Sequence, residues 1–312
     1  MTSSHADTHV TLRELGLRDG LQMARSCPST RQKREWIRIA HDAGVRHLEV
    51  GSFLPQDRYP HFADVRELIA QIGGLDDCVS SALALNERGV DDALATALDE
   101  IVLTVSATDG HSMANIGKTT EEALNLVRYT ELARRLAGCR LRLVATIPVA
   151  FGCSIAGPVR PDDVIRLACT CLETGADAIA VADTVGYAGP RQVAGLCRSL
   201  LKRIGPTPLI VHLHDTRGTG IANAYAALEE GVRILDGTMG GLGGCPFAPG
   251  ATGNIAFEDL VYLCERCGYT TGIDLEHLLG IIPIIRDSMP DETITGTLGR
   301  VGPPAKIPWS EQ

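Results

Sequence analysis

Short β-rich runs alternate with Ala/Leu-rich amphipathic runs from one end of the chain to the other, and this alternation restricts the fold more than any other feature. The β-rich runs are Val10–Gly16, Arg46–Gly51, Cys78–Ala84, Glu100–Val105, Arg140–Thr146, Ala178–Ala182, Leu209–Leu213 and Ile234–Met239. Helical patterns follow them at Thr30–Ala43, Phe62–Ile72, Glu87–Ala97, Thr120–Leu136, Pro161–Thr174, Pro190–Ile204, Ile221–Glu230 and Ala256–Cys267. Eight βα units in strict order predict one α/β domain, a (β/α)8 TIM barrel of about 250 residues, over positions 8–285. A doubly wound open sheet is the alternative. The remainder, 286–312, is expected to be a short carboxyl-terminal extension. A helical pattern over Leu275–Met289 leads into it and should kink or break at Pro283, before the Gly/Pro-rich stretch Thr297–Pro308.

Composition narrows the function classes. With 45% hydrophobic and 21% charged residues the chain reads as a soluble globular enzyme. A net charge of −9, no basic run and only 4% aromatic residues argue against a nucleic-acid partner or a membrane surface. No apolar run approaches the length of a bilayer span. The ten cysteines have no framework spacing, and the first residues, Met-Thr-Ser-Ser-His-Ala-Asp, have neither the charged start nor the apolar core of an export signal. Reduced thiols in a cytoplasmic protein are therefore expected. Cys264 and Cys267 form a CxxC inside a helical pattern with no second pair, which reads as two small helix residues rather than a zinc site.

In a barrel the site lies at the carboxyl ends of the strands, so polar residues there are the candidates. The seventh strand ends in His212 and His214, two apart and hence on one face, before a glycine-rich turn. Such a pair can hold a metal, although an isolated His-x-His is more often two satisfied polar residues. Arg18-Asp19-Gly20 after the first strand would, alone, be an ordinary turn. Glu49, in the otherwise apolar second strand, needs a cationic partner if buried, and Arg18 on the neighbouring strand is the obvious one. Asp183 ends the sixth strand, either as a site carboxylate or as a cap of the next helix. The glycine-rich loop from Gly240 to Asn254 lacks the Lys-Ser/Thr of a phosphate loop and does not match a dinucleotide fingerprint. It should lie over the barrel mouth, mobile or close to a ligand, with Cys245 at its centre as a candidate acid or base. A lone cysteine is more often inert. Asp19, His212, His214 and Asn254 all fall on one predicted face. Two imidazoles, a carboxylate and an amide oxygen suit a six-coordinate Mg²⁺ or Mn²⁺ with positions left for substrate; zinc is the rival.

These segments together carry a family resemblance. Arg18-Asp19-Gly20-Leu21-Gln22, Leu48-Glu49-Val50-Gly51-Ser52-Phe53, Ala182-Asp183-Thr184-Val185-Gly186, the run from His212 to Asn223 and the run from Gly241 to Asn254 resemble the 3-hydroxy-3-methylglutaryl-CoA lyase family, in the right order, over about residues 10 to 285. The resemblance implies a metal-dependent retro-Claisen cleavage of a 3-hydroxyacyl-CoA, releasing acetyl-CoA and a keto acid. It implies metal ligation by Asp19, His212, His214 and Asn254, with Arg18 and Cys245 as catalytic residues and Glu49 and Asp183 as acidic site residues. Asp183, Asp19 or a metal-site histidine is the implied base, and a homodimer the implied assembly. One departure bears on substrate. The family usually continues its first motif with Asn-Glu, where this chain has Met23-Ala24, so hydroxymethylglutaryl-CoA has citramalyl-CoA as its alternative. Condensing acyltransferases of the wider group read His-x-His-Asn-Asp and carry further carboxyl-terminal domains, and they resemble this chain less. A barrel that only binds a CoA ester would be expected to lack the ligand set or Arg18.

Overall fold

The β-rich runs are too apolar to leave a sheet face in water. In the computed structural model, which describes residues 8–244 and 253–305, they close into an eight-stranded parallel barrel in sequence order. The strands are β1 (Thr11–Glu14), β2 (His47–Ser52), β3 (Val79–Ala84), β4 (Glu100–Thr104), β5 (Arg142–Ile147), β6 (Ala178–Asp183), β7 (Leu209–Leu213) and β8 (Ile234–Gly237). Closure comes from β1 pairing with β8, in the register Thr11↔Ile234 to Glu14↔Gly237.

Helices α1 (Thr30–Asp42), α2 (Val65–Ile72), α3 (Glu87–Leu94), α4 (Asp109–Ile116), α5 (Thr120–Ala137), α6 (Pro161–Thr174), α7 (Pro190–Ile204), α8 (Gly220–Glu229) and α9 (Phe257–Arg266) follow the strands. Their ends obey local rules. Ser29 with Gln32 and Thr119 with Glu122 form capping boxes, Pro161 and Pro190 open α6 and α7, and Gly138 closes α5 at φ 62°. Cys264 lies buried in α9 and Cys267 is exposed at its end; both are free thiols.

The main core lies between sheet and helices, with Trp36, Phe62, Leu68, Ile101 and Phe257 fully buried. Inside the barrel, side chains alternate along each strand. Leu83, Val102, Val144, Ala178, Ala180 and Ile210 form a small apolar layer there. The other side of the interior is ionic: Arg13, His47, Glu49, Glu100 and Asp236 are all buried. This asymmetry places the polar site against β1, β2, β7 and β8.

Three local expectations are corrected. First, α4 was absent from the helical pattern, because Asp109-Gly-His-Ser-Met has no apolar period; capping makes it instead, with Thr108 Oγ1 accepting from His111 N and Gly117 closing it at φ 67°. Second, the break in the tail falls before Pro283, between α10 (Leu275–Leu278) and α11 (Ile281–Ser288). Pro283 sits in the first turn of α11, where its missing N–H leaves no intrahelical bond unmade. Third, β1 and β8 are shorter than the runs Val10–Gly16 and Ile234–Met239, since both chains leave the sheet to build the site. The tail ends in α12 (Leu298–Val301) and folds back, with the Thr297 and Leu298 amides donating to Asp259 at 2.8 and 2.7 Å.

One buried acid under this tail gives a pH prediction. Glu258 accepts from Gly240 N at 2.9 Å, its other oxygen has no hydrogen-bond partner among the described residues, and burial pushes its pKa from 4.5 up to about 7. The folded state therefore holds a proton that the unfolded chain releases near 4.5. Its stabilisation is complete below that pH and is lost as pH rises through about 7, a fall of about 3 kcal/mol at most. Glu14, likewise pushed up to about 7 by burial, adds a fall of the same sign. Glu258→Gln should remove the Glu258 share of the fall, so that the variant loses less stability than the wild type between pH 5 and 7.5, measured by urea unfolding at both pH values.

Candidate active site

The site begins where β1 stops. Residues Gly16–Gly20 form one π-helical turn, in which Leu15 O accepts from the amides of Arg18, Asp19 and Gly20 at 3.1, 2.9 and 3.3 Å. On a strand, neighbouring side chains would point to opposite faces; the wide turn sends Arg18 and Asp19 to the same side. Arg18 Nη1 then meets Asp19 Oδ1 at 2.5 Å, and Arg18 Nε meets Glu49 Oε1 at 2.9 Å, the partnership expected for the buried Glu49. With both carboxylates against it, Arg18 is held charged despite its burial. Burial also opposes ionisation of Asp19, but Arg18, His212 and His214 hold its carboxyl well below the usual range.

His212, in β7, and His214, just after it, face the same point, their Nε2 atoms 3.1 Å apart. Asp19 Oδ2 stands 3.8 Å from the first and 3.9 Å from the second. Among the described residues these three form the one group of histidine, cysteine or acidic side chains able to share a metal ion. The two histidines are shifted in opposite directions. Burial lowers His212, yet the bond to Asp236 and the Asp19 charge outweigh it and leave its pKa raised. Burial and the neighbouring His212 push His214 down to about 4.

Asn254 adjoins the cluster. An isolated bridge pairs it with His214, and its amide nitrogen donates to Asp19 Oδ2 at 2.6 Å and to Leu242 O at 3.1 Å. Its Oδ1 is buried without a hydrogen-bond partner among the described residues. Both ends of the glycine-rich loop are threaded tightly here. A Cβ on Gly253, whose φ is +99°, would stand 2.4 Å from Gly241 O and 2.6 Å from Gly243 O. Gly253→Ala should therefore cost about 1–3 kcal/mol in denaturant unfolding. Cys245 lies outside the described residues.

Asp183 is not brought to the site. Strand alternation turns Ala182 and Thr184 into the cavity and Asp183 out of it. Its carboxylate accepts from Tyr187 N at 2.9 Å and Ala188 N at 3.0 Å, so it pins the loop before α7, the capping alternative.

Several residues at the site were missed in the sequence. Asp236 in β8 contacts His212 Nδ1 at 3.2 Å, and Arg13 in β1 lies 3.4 Å from both Asp236 and Glu100. The signal was present: each is a charged residue inside an apolar strand, the criterion that singled out Glu49. Gln22, Thr104, His111, Asn115 and Thr146 complete the wall of a cavity of about 120 Å³; His111 and Asn115 arrive on α4, for which no pattern existed.

The donor set fits a divalent ion. Four carboxylates (Asp19, Glu49, Glu100 and Asp236) surround two guanidiniums (Arg13 and Arg18) in the interior, with His47 and Arg142 also at Glu100 and His212 at Asp236. The three converging ligand atoms, with the orphaned Asn254 oxygen beside them, mark where a cation would sit. A divalent ion held by these hard oxygen and imidazole donors would polarise a hydroxyl or carbonyl, and the fixed arginine beside it can stabilise a developing oxyanion.

Comparison with known proteins agrees with this geometry. The HMGL-like family model matches residues 9–285. Hydroxymethylglutaryl-CoA lyase YngG of Bacillus subtilis is 35% identical over 280 residues, 90% of this chain and 93% of its own. The (R)-citramalyl-CoA lyase of Chloroflexus aurantiacus is 38% identical over 301 residues, 93% of this chain and 92% of its own. An HMG-CoA lyase of Acinetobacter baumannii, solved in complex with coenzyme A and 3-methylmalate, matches with a TM-score of 0.90 at 32% identity, over 98% of this chain and 99% of that one.

Proposed function

The chain belongs to the HMGL-like family, and on that premise we propose that it is a divalent-metal-dependent carbon–carbon lyase cleaving hydroxymethylglutaryl-CoA to acetoacetate and acetyl-CoA. The observation that carries this is the convergence of Asp19 Oδ2, His212 Nε2 and His214 Nε2 beside the doubly held Arg18 at the barrel mouth.

Cleavage requires a proton to leave the tertiary hydroxyl while the electron pair of the breaking bond passes to the thioester as an enolate. When bound by Asp19, His212, His214 and Asn254, Mg²⁺ or Mn²⁺ supplies the Lewis acidity that lowers the hydroxyl's pKa. Arg18 presents its charge to the enolate oxygen as it forms, and Glu49 keeps the guanidinium from turning away. With Asp183 pointing outward, Asp19 and the two histidines are the groups placed to take the hydroxyl proton. Cys245 is assigned the return of a proton to the acetyl carbanion.

Citramalyl-CoA, yielding pyruvate and acetyl-CoA, is the second reading. It is favoured by the relative that is 38% identical and by Met23-Ala24. Met23 is half exposed, and its Cβ lies 3.9 Å from where a Cβ on Gly244 would be, so the departure falls at the rim of the cavity rather than beside the metal ligands. No described helix is long and apolar enough to cross a membrane. The family resemblance, not that absence, is the ground on which we propose a cytoplasmic homodimer acting on an acyl-CoA.

Acetyl-CoA release, assayed with Mg²⁺ or Mn²⁺ and again after chelation, tests the proposal on hydroxymethylglutaryl-CoA and both citramalyl-CoA enantiomers. Metal-dependent cleavage of the first is expected. Preference for a citramalyl-CoA would select the second reading, and no cleavage of any would overturn both.

A further inference from the structure

Two histidines of one strand end supply chemically equivalent Nε2 atoms, yet their second nitrogens are treated differently. His212 Nδ1 lies 3.2 Å from Asp236 Oδ2, whereas His214 Nδ1 is buried with no hydrogen-bond partner among the described residues. We propose that Asp236 is a positioning residue of the metal site, acting through His212, with Arg13 as its fixed countercharge. The inference rests on the metal reading given above.

A neutral imidazole carries one N–H, and an ionised carboxylate can only accept. Asp236 therefore selects the form of His212 with hydrogen on Nδ1 and the lone pair on Nε2. That Nε2 is the atom facing His214 at 3.1 Å and Asp19 at 3.8 Å. The carboxylate also fixes the ring's rotation, which a single ligand bond would leave free. Asp236 is fixed in turn: its other oxygen lies 3.4 Å from Arg13 Nε, and Arg13 is only 2% exposed. All three residues stand in one layer, because the ladder pairs Arg13 with Asp236 and Asp236 with His212. Their alignment is thus set by backbone register across three adjacent strands. Among the described residues His214 Nδ1 has no such carboxylate, and a backbone bridge joins His214 to Asn254.

The test is Mn²⁺ binding, read by the EPR signal of free Mn²⁺, together with the unfolding midpoint. Asp236→Asn should raise the Mn²⁺ dissociation constant 10- to 100-fold while the protein stays folded. Glu100→Gln, which disturbs the same ionic cluster on the far side of Arg13, should leave Mn²⁺ affinity at the wild-type value. If Asp236→Asn does not fold, the double variant Arg13→Gln/Asp236→Asn, which removes both charges of the pair, should show the same loss. Wild-type affinity in the Asp236 variant, or an equal loss in Glu100→Gln, would overturn the inference while leaving the metal reading intact. A wild-type protein that binds no Mn²⁺ would overturn both.

Discussion

Arg18→Gln is expected to lower kcat by about 10²- to 10³-fold without unfolding the protein. The guanidinium is held by Asp19 at 2.5 Å and Glu49 at 2.9 Å, so it reaches the cavity already oriented and meets developing charge without reorganising. Glutamine keeps a planar polar end but neither the charge nor the fork, so the loss should fall on the transition state. The kinetic signature is a drop in kcat and kcat/KM together, with KM little changed. Folding should survive because the turn carrying Arg18 is made by backbone bonds to Leu15 O and not by the side chain. The variant does leave Glu49 without its cation, so some loss of stability is expected as well. Near-normal turnover would mean that Arg18 does not face the reacting atoms.

The second large effect is expected from Asp19→Asn. Asp19 is the anionic member of the three-ligand cluster, and its carboxyl is held ionised by Arg18 and the two histidines in spite of burial. Asparagine fills the same space and can still accept from Arg18, but it brings no charge to a divalent ion. Mn²⁺ affinity should fall by more than about 100-fold, beyond the effect of an outer partner. Turnover at limiting metal should vanish and recover only in part at high Mn²⁺. Titration calorimetry with Mn²⁺, alongside acetyl-CoA release at rising metal, measures both. Unaltered Mn²⁺ binding would remove Asp19 from the ligand set and move the ion elsewhere in the cavity.

Features set by a local period were legible in the chain. The alternation of runs predicted the (β/α)8 barrel, and all eight strands form, because strand and helix patterns are written in neighbouring residues. His212 and His214 were placed on one face by the period of two, and Glu49 was matched to Arg18 because a buried carboxylate requires a cation. Features that depend on distant residues were not. Helix α4 follows from capping at Thr108 and Gly117 rather than from an apolar stripe, so the residues it carries into the cavity, His111 and Asn115, were unseen.

The sequence alone determined the barrel, the end of it that carries chemistry, and the pairing of two histidines with an arginine–aspartate turn. Tertiary structure alone decided how these residues meet. The π turn that turns Arg18 and Asp19 to one side, the outward direction of Asp183, and the Arg13–Asp236–His212 layer each depend on where a strand stops or on its register with a neighbour. A one-residue change in register would send every one of these side chains to the opposite face, and register is fixed only when the whole barrel closes.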